Sequence, residues 1–145
     1  MEQQQKELNI TIRFLKEESV LGTAGGLLHV EKEIMEGDPS HFFVLHCDIS
    51  SGFPLKDLIN AHNSHPNAIC TILSKKVPAD QAHKYGCLAT DPNSHVLLHY
   101  AEKPETFVSD LINTGIYVFS PQIFDALKKG KKKIEIIRKK WIQLK

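Results

Sequence analysis

Two apolar runs, His41 to Ile49 (HFFVLHCDI) and Ala68 to Leu73 (AICTIL), constrain the fold of this chain most strongly. Neither alternates polar with apolar residues, so each predicts a strand covered on both faces, as inside a layered α/β sheet. Between them, Pro54 opens a helical pattern carrying Leu55, Leu58 and Ile59 that stops at Pro66. Upstream, Leu8 to Leu15 (LNITIRFL) alternates, with Leu8, Ile10, Ile12 and Phe14 on one side, and predicts a strand with one buried face. The turn Leu21-Gly22-Thr23-Ala24-Gly25-Gly26 follows. It leads into a helical stripe of Leu27, Leu28, Ile34 and Met35 ending at Gly37-Asp38-Pro39. This β-α-β-α-β order with short connections predicts an α/β open sheet, mostly parallel, flanked by helices.

After Pro78 the rhythm changes. Tyr85 to Thr90, Val96 to Glu102 and Ile112 to Phe119 read as three strands in succession, the first two joined at Asp91-Pro92-Asn93-Ser94. A last helix starts at Pro121, a favoured first-turn proline, with Ile123, Phe124 and Leu127 on one face. There is no internal repeat.

With 145 residues, 41% of them hydrophobic and 24% charged, the chain has enough apolar surface for one folded domain, which excludes a disordered class. No apolar run approaches the ~20 residues of a membrane span. The start, Met1-Glu2-Gln3-Gln4-Gln5-Lys6-Glu7, has no apolar signal core, so a soluble cytoplasmic protein is expected. Cys47, Cys70 and Cys87 form no C-x-x-C and are odd in number, which predicts reduced thiols. Charge is split unevenly: residues 128–145 carry nine basic groups and one acid, and residues 1–127 carry nine basic and sixteen acidic groups. An acidic body excludes nucleic-acid binding by bulk electrostatics. In the basic tail, Ile134, Ile137, Trp141 and Leu144 sit at helical spacing among lysines. That pattern predicts a basic amphipathic helix for an acidic membrane or partner, against the simpler alternative of an ending from an altered transcript.

In open α/β sheets, ligands lie outside the carboxyl ends of the strands, and three features fall there. Gly22 to Gly26 would open a helix with free backbone N–H groups that attract anions or meet a base edge; a turn that only starts the helix is the simpler alternative. Asp48 ends an apolar strand, where a carboxylate suits Mg²⁺ or merely caps a helix. Glu102-Lys103-Pro104 offers an acceptor for sugar hydroxyls beside a cation for a phosphate, or else a solvated turn. The eight histidines include His62 and His65 at i, i+3, but no H-E-x-x-H, and no serine stands in a G-x-S-x-G elbow.

Taken in order, Leu21-Gly22-Thr23-Ala24-Gly25-Gly26-Leu27, Phe43-Val44-Leu45-His46-Cys47-Asp48, Tyr85-Gly86, Glu102-Lys103-Pro104 and Asn113-Thr114-Gly115-Ile116-Tyr117 resemble the sugar-1-phosphate nucleotidyltransferase family over residues 8–127. Within it, His99-Tyr100-Ala101-Glu102-Lys103-Pro104 and Phe107-Val108-Ser109-Asp110-Leu111-Ile112-Asn113 are most similar to mannose-1-phosphate guanylyltransferases of the alpha type. The resemblance implies a Rossmann-like sheet of the nucleotide-diphospho-sugar transferase type. It also implies formation of GDP-mannose and pyrophosphate from GTP and mannose 1-phosphate, with Mg²⁺. By position, Gly22, Thr23, Ala24 and Gly25 would line the guanine and ribose, and Asp48 would ligate Mg²⁺. Gly86, Glu102 and Asn113 would meet the sugar, and Lys103 its phosphate, as the catalytic cation. In-line attack of the sugar phosphate on the α-phosphorus then needs positioning and charge neutralisation, not a covalent nucleophile.

This sequence also departs from the family's pattern. A Gly-Thr-Arg loop with its following lysine, a second metal-binding aspartate beyond Tyr117 and a β-helix domain have no counterpart in it, and His46 stands where the family usually has asparagine. The expectation is an internal piece of a catalytic domain, incomplete at both ends and forming no GDP-mannose alone. The alternative is a regulatory subunit that binds GDP-mannose or GTP and partners a catalytic, beta-type guanylyltransferase subunit or a second copy.

Overall fold

A computed structural model describes residues 2–19, 21–49, 52–130 and 141–144. In chain order the elements are α1 (Glu2–Leu8), α2 (Gly22–His29), α3 (Glu31–Ile34), β1 (Phe42–Leu45), α4 (Leu55–Asn63) and β2 (Cys70–Lys76). There follow α5 (Ala79–Ala82), β3 (Gly86–Thr90), β4 (Leu97–Glu102), β5 (Leu111–Phe119), α6 (Gln122–Lys129) and β6 (Trp141–Leu144).

The nine-residue strand β5 is the hub of the sheet. It pairs antiparallel with β1, β2 and β3, and β4 pairs antiparallel with β3. Only β2 with β6 is a parallel pair among the described residues. The α/β class holds, but the mostly parallel sheet predicted above does not. Both β1 and β2 run opposite to β5, so they are parallel to each other, as a β-α-β unit requires. They are not neighbours, because the later strand β5 lies between them.

Side chains alternate across β5 and β2 and so divide into two cores. Cys70, Ile72, Leu88, Leu97, Tyr117 and Phe119 face one way and pack with Leu27 of α2 and with Ile123 and Phe124 of α6. Leu73, Ile116 and Val118 face the other way, against Leu58 of α4. Leu58, Ile116 and Val118 are wholly buried, and each such side chain contributes about 1.5–3 kcal/mol. The predicted stripe of Leu27, Leu28, Ile34 and Met35 does reach the main core, although it is broken into two helices at Val30.

Helix α4 is docked by a polar group as well. His62 is 2% exposed and sits between two hydroxyls, with Thr71 Oγ1 2.8 Å from Nδ1 and Ser120 Oγ 2.8 Å from Nε2. Ser120 donates its proton to the Ala68 carbonyl at 3.2 Å, so its oxygen accepts from Nε2–H, and Thr71 donates to Nδ1. The ring is therefore neutral and fully bonded. His41 adds an edge contact at 4.8 Å between ring centroids.

Three further expectations are corrected. Leu8 to Leu15 is not a strand: α1 ends at Leu8, and Leu8, Ile10, Phe14 and Leu15 are exposed. Among the described residues its alternation pairs with no strand, and the Ile12 N–H is taken by the Gln5 side chain instead. The run at 41–49 is covered on one face only. Phe42 and Val44 pack on the main core while Phe43 and Leu45 are exposed, because α4 covers β2 and β5 but β1 lies beyond it. In the tail, Trp141 and Leu144 belong to strand β6, not to a helix, since the edge of β2 offers them backbone partners; Ile134 and Ile137 lie outside the described residues. Cys70 and Cys87 are buried and Cys47 is exposed, all three as free thiols.

Candidate functional site

Strand β2 occupies one edge of β5 along its length, so β1 and β3 must share the other. β1 covers Ile116 to Phe119 and β3 covers Ile112. The middle of the strand, Asn113-Thr114-Gly115, is where these two neighbours part. A parting of neighbours in an open sheet is where side chains from several strands can converge on a ligand.

Register fills this gap. Gly86 pairs with Glu102, and Cys87 pairs with Ile112, so continuing the ladder sets Gly86 opposite Asn113. Glu102, Gly86 and Asn113 thus form one row across three strands. Hydrogen bonds join the row to its surroundings. Asn113 Nδ2 donates to the Tyr117 hydroxyl at 2.7 Å, and Asn113 Oδ1 accepts from the Gly115 N–H at 2.8 Å. The Tyr100 hydroxyl donates to the Glu102 carboxylate. Burial raises both tyrosine pKa values, and the nearby Glu102 charge adds to it, so both hydroxyls keep their protons.

Two glycines make this geometry possible. At Gly86 a Cβ would run into the Tyr100 ring and stand 2.9 Å from Glu102 Oε2. At Gly115 a Cβ would stand 2.7 Å from His46 Nδ1 and overlap the Ile49 side chain, and φ is +74°. The β5 ladder bulges here, between the Ile72–Tyr117 and Ser74–Asn113 pairs, and the Thr114 hydroxyl donates to the Leu73 carbonyl at 2.7 Å. The His46 N–H donates to the Gly115 carbonyl at 3.0 Å, and its ring lies 5.7 Å from that of Tyr117. So the segment after β1 closes on the bulge through His46 and Ile49, with the exposed Asp48 between them.

Lys103 follows Glu102 directly and adopts φ +43°, unusual for a side chain with a Cβ and a conformation that costs about 1 kcal/mol. Its N–H donates to the Tyr85 carbonyl at 3.1 Å, which ties the start of β3 to the end of β4. Strain at a charged residue beside a cluster of polar groups is a common mark of a binding site.

The predicted residues are therefore brought together unequally. Gly86, Glu102 and Asn113 are joined in one row, Lys103 flanks it, and Asp48 lies on the loop that closes against Gly115. Gly22, Thr23, Ala24 and Gly25 do not open a free loop: they form the first half of α2 itself. That helix lies on the Tyr117 face of the sheet through Leu27, and the side chain that Gly25 approaches is Leu21, not the Glu102 row. Among the described residues, no three His, Cys, Asp or Glu residues assemble as a metal cluster, and no helix is long and apolar enough to cross a membrane.

Sequence reasoning missed Tyr100, Tyr117, Gly115 and His46 as parts of this cluster. Tyr100 was within reach of it, since two residues along a strand places it on the face of Glu102. The approach of His46 to Tyr117 depends on strand pairing and has no local signal.

Comparison with known proteins follows the same residues. The nucleotidyl transferase family matches residues 2–143. The regulatory subunit alpha of mannose-1-phosphate guanylyltransferase from Dictyostelium discoideum is 53% identical over 131 residues, 90% of this chain and 31% of that protein. The human protein of the same name is 42% identical over 128 residues, covering 88% of this chain and 30% of itself. A probable mannose-1-phosphate guanyltransferase of Schizosaccharomyces pombe is 39% identical over 129 residues, 88% and 31%. The chain spans about 30% of the length of these relatives. The Gly86–Glu102–Asn113 row and the bulge at Gly115 thus lie within a match that runs nearly end to end, and this chain belongs to the nucleotidyl transferase family.

Proposed function

We propose that this chain forms a sugar-nucleotide binding site of GDP-mannose biosynthesis, holding GDP-mannose or GTP. The observation that carries this is the row Glu102–Gly86–Asn113, tied to Tyr100 and Tyr117 at the parting of β1 and β3. A row of fixed acceptors and donors beside a cation suits a phosphorylated sugar, whose hydroxyls need directional partners and whose phosphate needs charge. Glu102 and Asn113 take the sugar hydroxyls and Gly86 lets the ring approach the backbone. Lys103 neutralises the sugar phosphate, and Gly22, Thr23, Ala24 and Gly25 meet guanine and ribose.

In the reaction of GTP with mannose 1-phosphate, these groups hold the attacking phosphate in line, which is where most of the rate in such transfers arises. Mg²⁺, when bound, neutralises charge on the phosphates. Asp48 would hold it, with phosphate and water oxygens as the other ligands, an arrangement that suits a single exposed carboxylate. Buried free thiols at Cys70 and Cys87 support a reducing, cytoplasmic setting.

Thermal shift tests the proposal. GDP-mannose is expected to raise the melting temperature of the purified chain and ADP-glucose to leave it unchanged; equal shifts, or none, would overturn it. A regulatory role is favoured by the names of the Dictyostelium and human relatives. It predicts that the chain captures a beta-type catalytic guanylyltransferase subunit in a pull-down and that a chain carrying Gly115→Val, with the loop against β5 displaced, captures less. Equal capture by both forms would count against a role for this face.

A further inference from the structure

We propose that Tyr100 is a positioning residue for Glu102, fixing carboxylate Oε2 so that Oε1 is presented to the hydroxyls of a bound sugar. This rests on the sugar-nucleotide site proposed above and adds to it a residue that touches no ligand. Tyr100 pairs with Leu88 across β3 and β4, and its ring packs on the main core, so the hydroxyl is held at a fixed point. From that point it donates to Glu102 Oε2.

The Asn113 amide donates to Tyr117 and lies close enough to the Tyr100 hydroxyl to oppose the rise in its pKa, so Tyr100 sits beside the row that the sugar would contact. Gly86 gives this arrangement its room, because the Tyr100 hydroxyl and the carboxylate occupy the space that a Cβ would need. Glu102 is exposed, and an exposed glutamate without such a partner samples several rotamers and must be ordered on binding. Holding it beforehand removes that cost. The Tyr100 proton is kept for this bond, since burial and the neighbouring carboxylate both disfavour the phenolate.

The test uses Tyr100→Phe, which keeps the ring in the core, together with Glu102→Gln and the double variant, all in the full chain. Affinities for GDP-mannose and for GDP are measured by calorimetry. The rotamer averaging of Glu102 is followed in ligand-free protein by side-chain NMR couplings. Expected are an about tenfold loss of GDP-mannose affinity in Tyr100→Phe, unchanged GDP affinity, and no further loss on adding Tyr100→Phe to Glu102→Gln. Glu102 is expected to hold one rotamer in the wild type and to average in Tyr100→Phe. Equal weakening of GDP and GDP-mannose, losses that add in the double variant, or the same averaging in both proteins would each overturn the role. Failure of the wild type to bind GDP-mannose would sink the proposed function instead, and the rotamer measurement would still decide whether Tyr100 positions Glu102.

Discussion

Gly115→Ala is expected to lower the unfolding free energy by about 2–5 kcal/mol, measured by urea denaturation, and to abolish the GDP-mannose thermal shift. Two costs combine. A side chain at φ +74° costs about 1–2 kcal/mol of backbone strain, and forcing a methyl group against packed neighbours costs about 1–3 kcal/mol. The neighbours are His46 and Ile49, and Ile49 is anchored in the core beneath α4, so neither can move away freely. Any shift of Gly115 also moves its N–H off Asn113 Oδ1, which disturbs the row that would hold the sugar. Gly22→Ala is the control. Gly22 also has a positive φ, +67°, but nothing lies within 4 Å of its missing Cβ, so only the strain of about 1–2 kcal/mol is expected. Equal losses in the two variants would show that the contact with the loop after β1 does not exist.

Lowering the pH from 7.5 to 5.0 should destabilise the wild type by about 2 kcal/mol through His62 alone. Burial holds its pKa down at about 4, from an ordinary 6.5, with the positive charges of His41 and His65 acting in the same direction. Between those two values the unfolded chain takes up a proton that the native chain refuses. Stability from this residue is therefore complete above pH 6.5 and is lost progressively as the pH falls towards 4. A protonated ring would also need to donate from both nitrogens, and Thr71 already donates to Nδ1 in the neutral arrangement. His62→Gln keeps a polar group at the site but does not titrate. It should be less stable than the wild type at pH 7.5 and should lose most of the fall between pH 7.5 and 5.0. An unchanged fall in this variant would mean that other groups set the acid sensitivity.

Much of the fold was legible because it depends on local pattern. Pro54 and Pro121 marked the starts of α4 and α6, and the unbroken run at 68–73 marked a strand buried on both faces. The hairpin between β3 and β4 was announced by Asp91, whose carboxylate accepts from the N–H groups of Asn93 and Ser94. Leu8 to Leu15 shows the limit of this kind of evidence. Its alternation is as clear as that of a true strand, but a strand also needs an edge to pair with, and it pairs with none among the described residues.

The candidate site divides in the same way. Glu102 stood out at a strand end beside Lys103-Pro104, while Gly86 and Asn113 were singled out only by the family resemblance. Their meeting in one row did not stand out, because it depends on β5 taking β3 as a neighbour at Ile112 and β1 at Ile116. His62 continues the helical stripe of Leu55, Leu58 and Ile59, but its role had no local signal. Its two hydroxyl partners lie 9 and 58 residues away in sequence, and only the docking of α4 on the sheet brings them to its ring.

What the sequence determined by itself is where α4, α6 and the strands β1 to β5 fall, and that Asp48 and the Glu102-Lys103 pair carry useful chemistry. Those properties follow from side-chain period, proline, glycine and charge within a few neighbours. Only the tertiary structure decided which strands lie side by side, which way they run, and which polar groups therefore face each other. Pairing is chosen by the total burial and hydrogen bonding of distant segments, and β5 satisfies both by lying between two strands that precede it in the chain.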